Sequence, residues 1–480
     1  METPIPAVSS DLSRYEPRWF VNRDEEFKKI QERVQQAQSG AVTEPIINYW
    51  GIQGIGKSWL LQHTRFTFKF RGAPATPLLK PTFTLLYTFD DAESTASLPN
   101  IIKALSTDLL AQIPLERLSE EEQAYFHKAK ENGEVNAFVR GLNRISQRFA
   151  PVLLLDDTQR VAFQQWKTIE HQLVEPIIVT NRVVIVIAGR KQIPHWHRFE
   201  VRRRVTEPGE TAMAPFTREQ VTQQLEKRRF AVPVEWIMPH TTGSPGLVVR
   251  FADQFTLWKR DQQEKETERK WLERHRDDLL TLIADSKSEL LKNTPANLRP
   301  NIDLLFPLRF YRSEALQFMH AQQSTGERQP DDLPGIYFLN VLKRLEFESD
   351  VVWWDDNRRA YVTSPVVRQL TRQHLLLAGK EKYIQSHQTA LRMYWKSAEE
   401  FRRVCEDFIL EIWFHLASIY HENRDQPSFE GEFQKTIAFT RKNLNLDRLD
   451  ILKQLFDSDL ELKGLLPAEI HEQMSGELKN

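Results

Sequence analysis

Eight consecutive residues, Gly51-Ile52-Gln53-Gly54-Ile55-Gly56-Lys57-Ser58, concentrate more chemistry than any other stretch of this 480-residue chain. Their glycines let backbone N–H groups point inward at phosphate oxygens with no Cβ in the way. A lysine at the seventh position can reach β- and γ-phosphates, and the serine hydroxyl that follows can ligate Mg²⁺. The pattern fits G-x-x-x-x-G-K-[ST], so Gly51, Gln53, Gly54, Ile55, Gly56, Lys57, Ser58 and the adjoining Trp59 form one candidate phosphate cradle for ATP or ADP with Mg²⁺. A second group of residues would complete hydrolysis. In "APVLLLDDTQ" an aliphatic run ends in two aspartates, where Asp156 would hold the metal and Asp157 would orient or deprotonate the attacking water, with Lys57 assisting. A third is Arg190, closing "NRVVIVIAGR", where a guanidinium could touch a γ-phosphate and sense its loss.

These side chains work together only if the right elements hold them. "EPIINYW" before the glycine loop reads as a short buried strand, and "KSWLLQHTRFTFKF" after it as a helix whose positive N-terminal end faces the same anion. "TFTLLYTFDD" (82–91), "APVLLLDD" and "NRVVIVIAGR" (181–190) read as further strands, separated by helical stretches such as "NIIKALSTDLLAQI". That alternation predicts a parallel sheet with helices on both faces, whose carboxyl edge gathers the loop, the aspartates and the arginine. Downstream, "FTREQVTQQLEKRRF" opens with a capping box, Thr217 to Gln220, and "SPGLVVRFADQF" opens a helix with Pro245 in its first turn.

In this order, "GIQGIGKS", "PVLLLDDTQ", "VVIVIAGR" and "TGSPGLVVRFADQ" resemble the STAND signalling ATPases, the class that includes NB-ARC and NACHT modules. The likeness spans roughly residues 18 to 385. "WFVNRDEEF" is similar to the segment that precedes the P-loop in that class and grips the adenine side, which implies nucleotide contacts for Val21 and Arg23. Asn22 stands where that segment has glycine, and asparagine is the non-glycine residue that best tolerates a left-handed backbone. The resemblance also implies that Pro245, flanked by Gly243 and Gly246, packs on adenine from a helical lid. It places Ser364 at the position of a histidine that senses ADP; Ser364-Pro365 also reads as an N-cap followed by an N1 proline.

The expected organisation is a tail (1–17), an α/β P-loop nucleotide-binding domain (18–215), a helical lid (216–300), a winged helix (301–385) and an all-α C-terminal domain (386–480). "DQQEKETERKWLERHRDDLL" (261–280) reads as a solvated helix face, and "LPGIYFLNVLKRLEFESDVVWWDDNRRAYVTSPVVRQL" as helix, hairpin and helix. With 65 basic and 66 acidic residues and a net charge of -1, no whole-molecule field draws the chain to nucleic acid or an anionic membrane. The single cysteine, Cys405, reads as a buried apolar residue, and His195, His197 and the "VRRRV" run (201–205) as packing or solvated groups. No apolar run is long enough to cross a bilayer, so the expected location is cytoplasmic. The partners expected are another copy of the chain, joined in a nucleotide-dependent way, or a separate protein. Nucleic acid is not favoured, and the readings kept beside the switch are an origin-recognition-like ATPase acting on DNA and a scaffold that holds nucleotide without turnover.

Overall fold

Ile46–Trp50 (β1), Thr82–Thr88 (β2), Ala150–Asp156 (β3) and Val184–Gly189 (β4) form one four-stranded sheet in the order β1-β4-β3-β2. Every neighbour in it is parallel. The structure is a computed structural model that describes residues 15–70, 79–89, 97–190, 196–259, 268–323, 335–355 and 358–478. The two central strands, β3 and β4, are largely aliphatic and buried along their whole length because both of their faces are covered. Val152 and Leu154 of β3 pack with Ile30, Val34, Leu60 and Leu61, while Leu153 and Leu155 point the other way into a cluster with Ile101, Leu105, Phe138 and Leu142. The fold is therefore the α/β P-loop type read from the sequence. Val205 and Ala212, either side of a 3-10 turn at Pro208–Glu210, touch the outer edge of β1 through isolated parallel bridges to Ile46 and Trp50.

The chain divides into two units, Met1–Gln262 and Gln263–Asn480, so the division falls inside the span read as lid. The first unit carries the sheet and three lid helices, Arg218–Lys227, Val234–Thr241 and Pro245–Lys259. The capping box expected at Thr217 and Gln220 is formed in both directions, and Pro245 opens its helix. Gly243 could be no other residue: its φ is +77°, and an added Cβ would stand 1.9 Å from the Phe216 carbonyl oxygen.

The second unit holds the winged helix. Helices Arg299–Leu305, Ser313–Gln323 and Gly335–Glu348 are followed by the antiparallel strands Val352–Asp355 (β5) and Ala360–Thr363 (β6), and Tyr311 adds a third short pairing through Tyr361. Asp356 and Asn357 at the expected turn lie outside the described residues, as do His195 and residues 260–267. The helix Pro365–Glu400, kinked at Gly379, leads into an all-α C-terminal layer centred on Glu406–Asn423.

In the 261–280 stretch, Lys270, Glu273, Arg274 and Arg276 to Asp278 are exposed while Trp271 is fully buried and Leu279 nearly so, a solvated helix face with its apolar side packed. One expectation needs correction here. Ser364 does occupy the N-cap position before Pro365, but its hydroxyl makes no capping bond and is buried without a partner. Cys405 is buried as expected. Arg309, from the winged helix, meets Glu411 (Nε to Oε1 2.7 Å) and Asp459 of the C-terminal helices in a buried ion cluster. Among the described residues no helix is long and apolar enough to cross a membrane.

Candidate functional site

The register of β1 against β4 sets Trp50 beside Gly189, and that of β2 against β3 sets Thr88 beside Asp156. The loop that begins at Gly51, the acidic pair and Arg190 consequently emerge along one edge of the sheet, at the carboxyl ends of β1, β3 and β4. Gly51, Gly54 and Gly56 have φ of 153°, 78° and 102°, a backbone course that side-chain-bearing residues rarely follow. The helix Lys57–Thr67 starts directly from Gly56, and no side chain caps it. The positive end of this helix therefore faces the glycine loop.

Lys57 is 7% exposed, and its ammonium donates to the carbonyls of Gly51 (2.6 Å) and Ile52 (2.8 Å). The lysine thus spans the mouth of its own loop, where a phosphate oxygen could replace those carbonyls. The Ser58 hydroxyl hydrogen-bonds the Asp156 carboxylate, and burial together with the neighbouring Asp157 raises the Asp156 pKa from 3.8 to about 6. A buried carboxylate in this state favours an arriving cation. Asp157 stands in the left-handed region, φ 58°, and its N–H donates to Asp156 Oδ1 at 2.9 Å. This backbone turn separates the directions of two adjacent carboxylates.

Arg23 has a role that the motif did not predict. Its guanidinium bridges Glu26 (2.8 Å), the Ile55 carbonyl in the loop (2.6 Å) and the Ala214 carbonyl (3.0 Å), and it lies over the Phe216 ring. Its Nε is buried without a partner and lies 3.6 Å from where a Cβ on Gly56 would stand, so one unpaired donor borders the glycine loop. Val21 is half-buried beside Asn22, whose φ of 55° is the left-handed backbone expected of it. The Asn22 amide donates to the Gln220 carbonyl, and Lys227 to that of Phe20, fastening this segment to the first lid helix. The lid also touches the loop directly: Gly246 N–H donates to the Gly54 carbonyl at 2.8 Å, and Gln224 holds the Pro245 carbonyl. Pro245 is buried at this junction.

The structure thus gathers Gly51 to Trp59, Asp156, Asp157 and Arg190 along one edge, with Pro245 and Arg23 against the loop. Sequence reading missed Gln159, whose amide joins Asp157 to Arg190; nothing in the spacing "DDTQ" marked it. Three glycines at positive φ, an unpaired donor and a lysine at the loop, and a buried carboxylate held by a serine hydroxyl suit a nucleotide phosphate with a divalent cation.

Fold and loop together are those of the α/β P-loop class. No protein-family profile matches the chain, and no curated protein does. Among solved structures it is similar to a Walker-type ATPase of Pyrococcus abyssi, with 16% identity and a TM-score of 0.47 over 76% of this chain and 99% of that one. It is also similar to the Aeropyrum pernix ORC2 protein in its ADP form (14%, TM-score 0.45, 77% and 97%) and to AMPPCP-bound DnaA from Aquifex aeolicus (14%, TM-score 0.34, 69% and 91%).

Proposed function

We propose that the chain binds ATP with Mg²⁺ and hydrolyses it slowly, and that the bound nucleotide controls the engagement of its winged helix with DNA. The observation that carries the ATPase reading is Asp156: a buried carboxylate with a raised pKa, hydrogen-bonded to the P-loop serine on one sheet edge with Lys57 and Asp157. In this reading Lys57 leaves the Gly51 and Ile52 carbonyls for the phosphates, joined by the N–H groups of Gly54, Gly56 and Ser58. Ser58 and Asp156 hold the Mg²⁺, which when bound neutralises developing charge on the phosphoryl group. Asp157 orients the attacking water or takes its proton, and Arg190 contacts the γ-phosphate. Val21 and Pro245 flank the base. The hydrogen bond from Gly246 to Gly54 supports a lid that responds to what the loop binds. Lys57→Ala should abolish ATP binding, while Asp157→Asn should keep it and slow turnover; equal ATP affinity in wild type and the Lys57 variant would sink the assignment.

The DNA reading rests on the wing. Arg358 and Arg359 are exposed at the hairpin turn, and Arg312 donates to the Arg359 carbonyl at 2.9 Å, which holds a third arginine against that turn. Origin-recognition and DnaA proteins are among the similar structures; the reading here stands on this chain's own arginines. A second reading, the STAND-like switch that self-associates or engages a protein partner, is favoured by the helix Gly335–Glu348. That helix exposes Ile336, Tyr337 and Phe347, and its Arg344 is paired to Glu348. The two separate cleanly. DNA affinity with ATP bound, whose salt slope falls by about 2 when Arg358 and Arg359 are both changed to Glu, supports the first. No DNA affinity, with an ATP-driven larger assembly by light scattering, supports the second.

A further inference from the structure

After β3 the chain makes a single 3-10 turn, Thr158–Arg160, with Asp157 as its left-handed leading residue. Thr158 fixes this turn to the neighbouring strand by donating to the Ala188 carbonyl at 3.2 Å. The next side chain, Gln159, is half-buried and makes two bonds in opposite senses. Its Nε2 donates to Asp157 Oδ1 at 2.9 Å, and its Oε1 accepts the Arg190 backbone N–H at 2.9 Å. The other oxygen of Asp157 faces the Arg160 guanidinium at 3.7 Å.

A primary amide offers a donor and an acceptor on one rigid plane, so it can link a carboxylate to a backbone N–H without carrying charge. The two groups it links here come from different strands. Asp157 follows β3, the strand of the metal carboxylate, and Arg190 follows β4, the strand between β3 and the P-loop strand. Any shift of the backbone at Arg190 is thereby passed to the Asp157 carboxylate.

We propose that Gln159 is a positioning residue for hydrolysis: its amide holds the Asp157 carboxylate in register with the end of β4, so that contact between Arg190 and a γ-phosphate sets the orientation of the base. The inference rests on the hydrolytic reading above and adds a residue that the P-loop pattern does not name. Gln159→Leu removes both bonds. Gln159→Glu retains the acceptor for Arg190 but removes the donor and sets a second carboxylate beside Asp157. Neither residue change alters a group that touches nucleotide, so ATP affinity should stay within about twofold of wild type.

The test measures ATP affinity with a fluorescent analogue, single-turnover phosphate release and the melting temperature for wild type, both Gln159 variants, Asp157→Asn, and the Asp157→Asn/Gln159→Leu double variant. We expect both Gln159 variants to bind ATP normally and to release phosphate about tenfold more slowly or worse, since a misplaced base loses rate and leaves binding intact. In the Asp157→Asn background the Gln159→Leu change should have almost no further effect, because it acts through that carboxylate. Unchanged turnover in Gln159→Leu, or an equally large extra loss in the double variant, overturns the inference while the ATPase reading stands. A wild-type protein that binds ATP without releasing phosphate overturns hydrolysis, and one that binds no ATP overturns the site. Should the leucine variant melt far below wild type, the glutamate variant, which keeps the bond to Arg190, decides the matter.

Discussion

Replacing Asp156 with asparagine should stabilise the nucleotide-free protein and ruin its response to Mg·ATP. The carboxyl pKa is raised from 3.8 to about 6, chiefly by burial and secondarily by Asp157. A rise of two pKa units or slightly more corresponds to about 3 kcal/mol of preference for the protonated form in the fold. The folded state therefore holds this proton more tightly than the unfolded chain. Stability rises as pH falls through about 6, levels off near 4, and above 6 the ionised carboxylate costs the fold the full amount. Asparagine removes that cost at pH 8 while keeping an oxygen to accept the Asp157 N–H. The gain should approach about 3 kcal/mol, or roughly 6–12 °C in melting temperature for a unit of this size. The assay is thermal and urea unfolding of wild type and variant at pH 8 and pH 5, each with and without Mg·ATP. Ligand at about a thousand times its Kd adds about 4 kcal/mol to a protein that binds it, so the rank order of the two should invert in wild type's favour. A variant less stable than wild type at pH 8 without nucleotide, or one whose advantage over wild type at pH 8 does not shrink at pH 5, would refute the reasoning.

Two further outcomes concern packing at the loop and in the second unit. Gly246→Ala places a methyl group 3.0 Å from Gly54 Cα and 3.1 Å from its carbonyl oxygen, both backbone atoms; overpacking of this kind should cost about 1–3 kcal/mol in urea unfolding and weaken ATP binding as the lid helix is pushed from the loop. Arg309→Met leaves Glu411 and Asp459 buried without their cation, a loss of about 3–5 kcal/mol, most of which should return when Glu411 is changed to Leu in the same chain. Calorimetry on the 480-residue chain reads both.

Much of the site was legible because its chemistry is local. Glycines at fixed spacing, a lysine and serine at a helix start, and an aliphatic run closing on two aspartates each specify their own backbone, and Thr217, Gln220, Asn22 and Pro245 took up the conformations their types favour. What no local pattern marked was decided by partners far along the chain. Arg23 clamps the carbonyls of Ile55 and Ala214, Trp271 is buried on the apolar side of a helix dense in charge, and Ser364 holds the N-cap position while its hydroxyl accepts no capping N–H.

The sequence by itself determined the P-loop, the strands that flank it and the residue types able to handle a nucleotide phosphate, since these depend on φ preferences and two- or 3.6-residue periods within short windows. Only the tertiary structure decided which edge gathers Lys57, Asp156, Asp157 and Arg190, that Gln159 ties two of them together, and that Gly246 bonds the loop. Strand order and long-range hydrogen bonds join segments up to about two hundred residues apart, and no local pattern encodes which distant carbonyl a buried donor will meet.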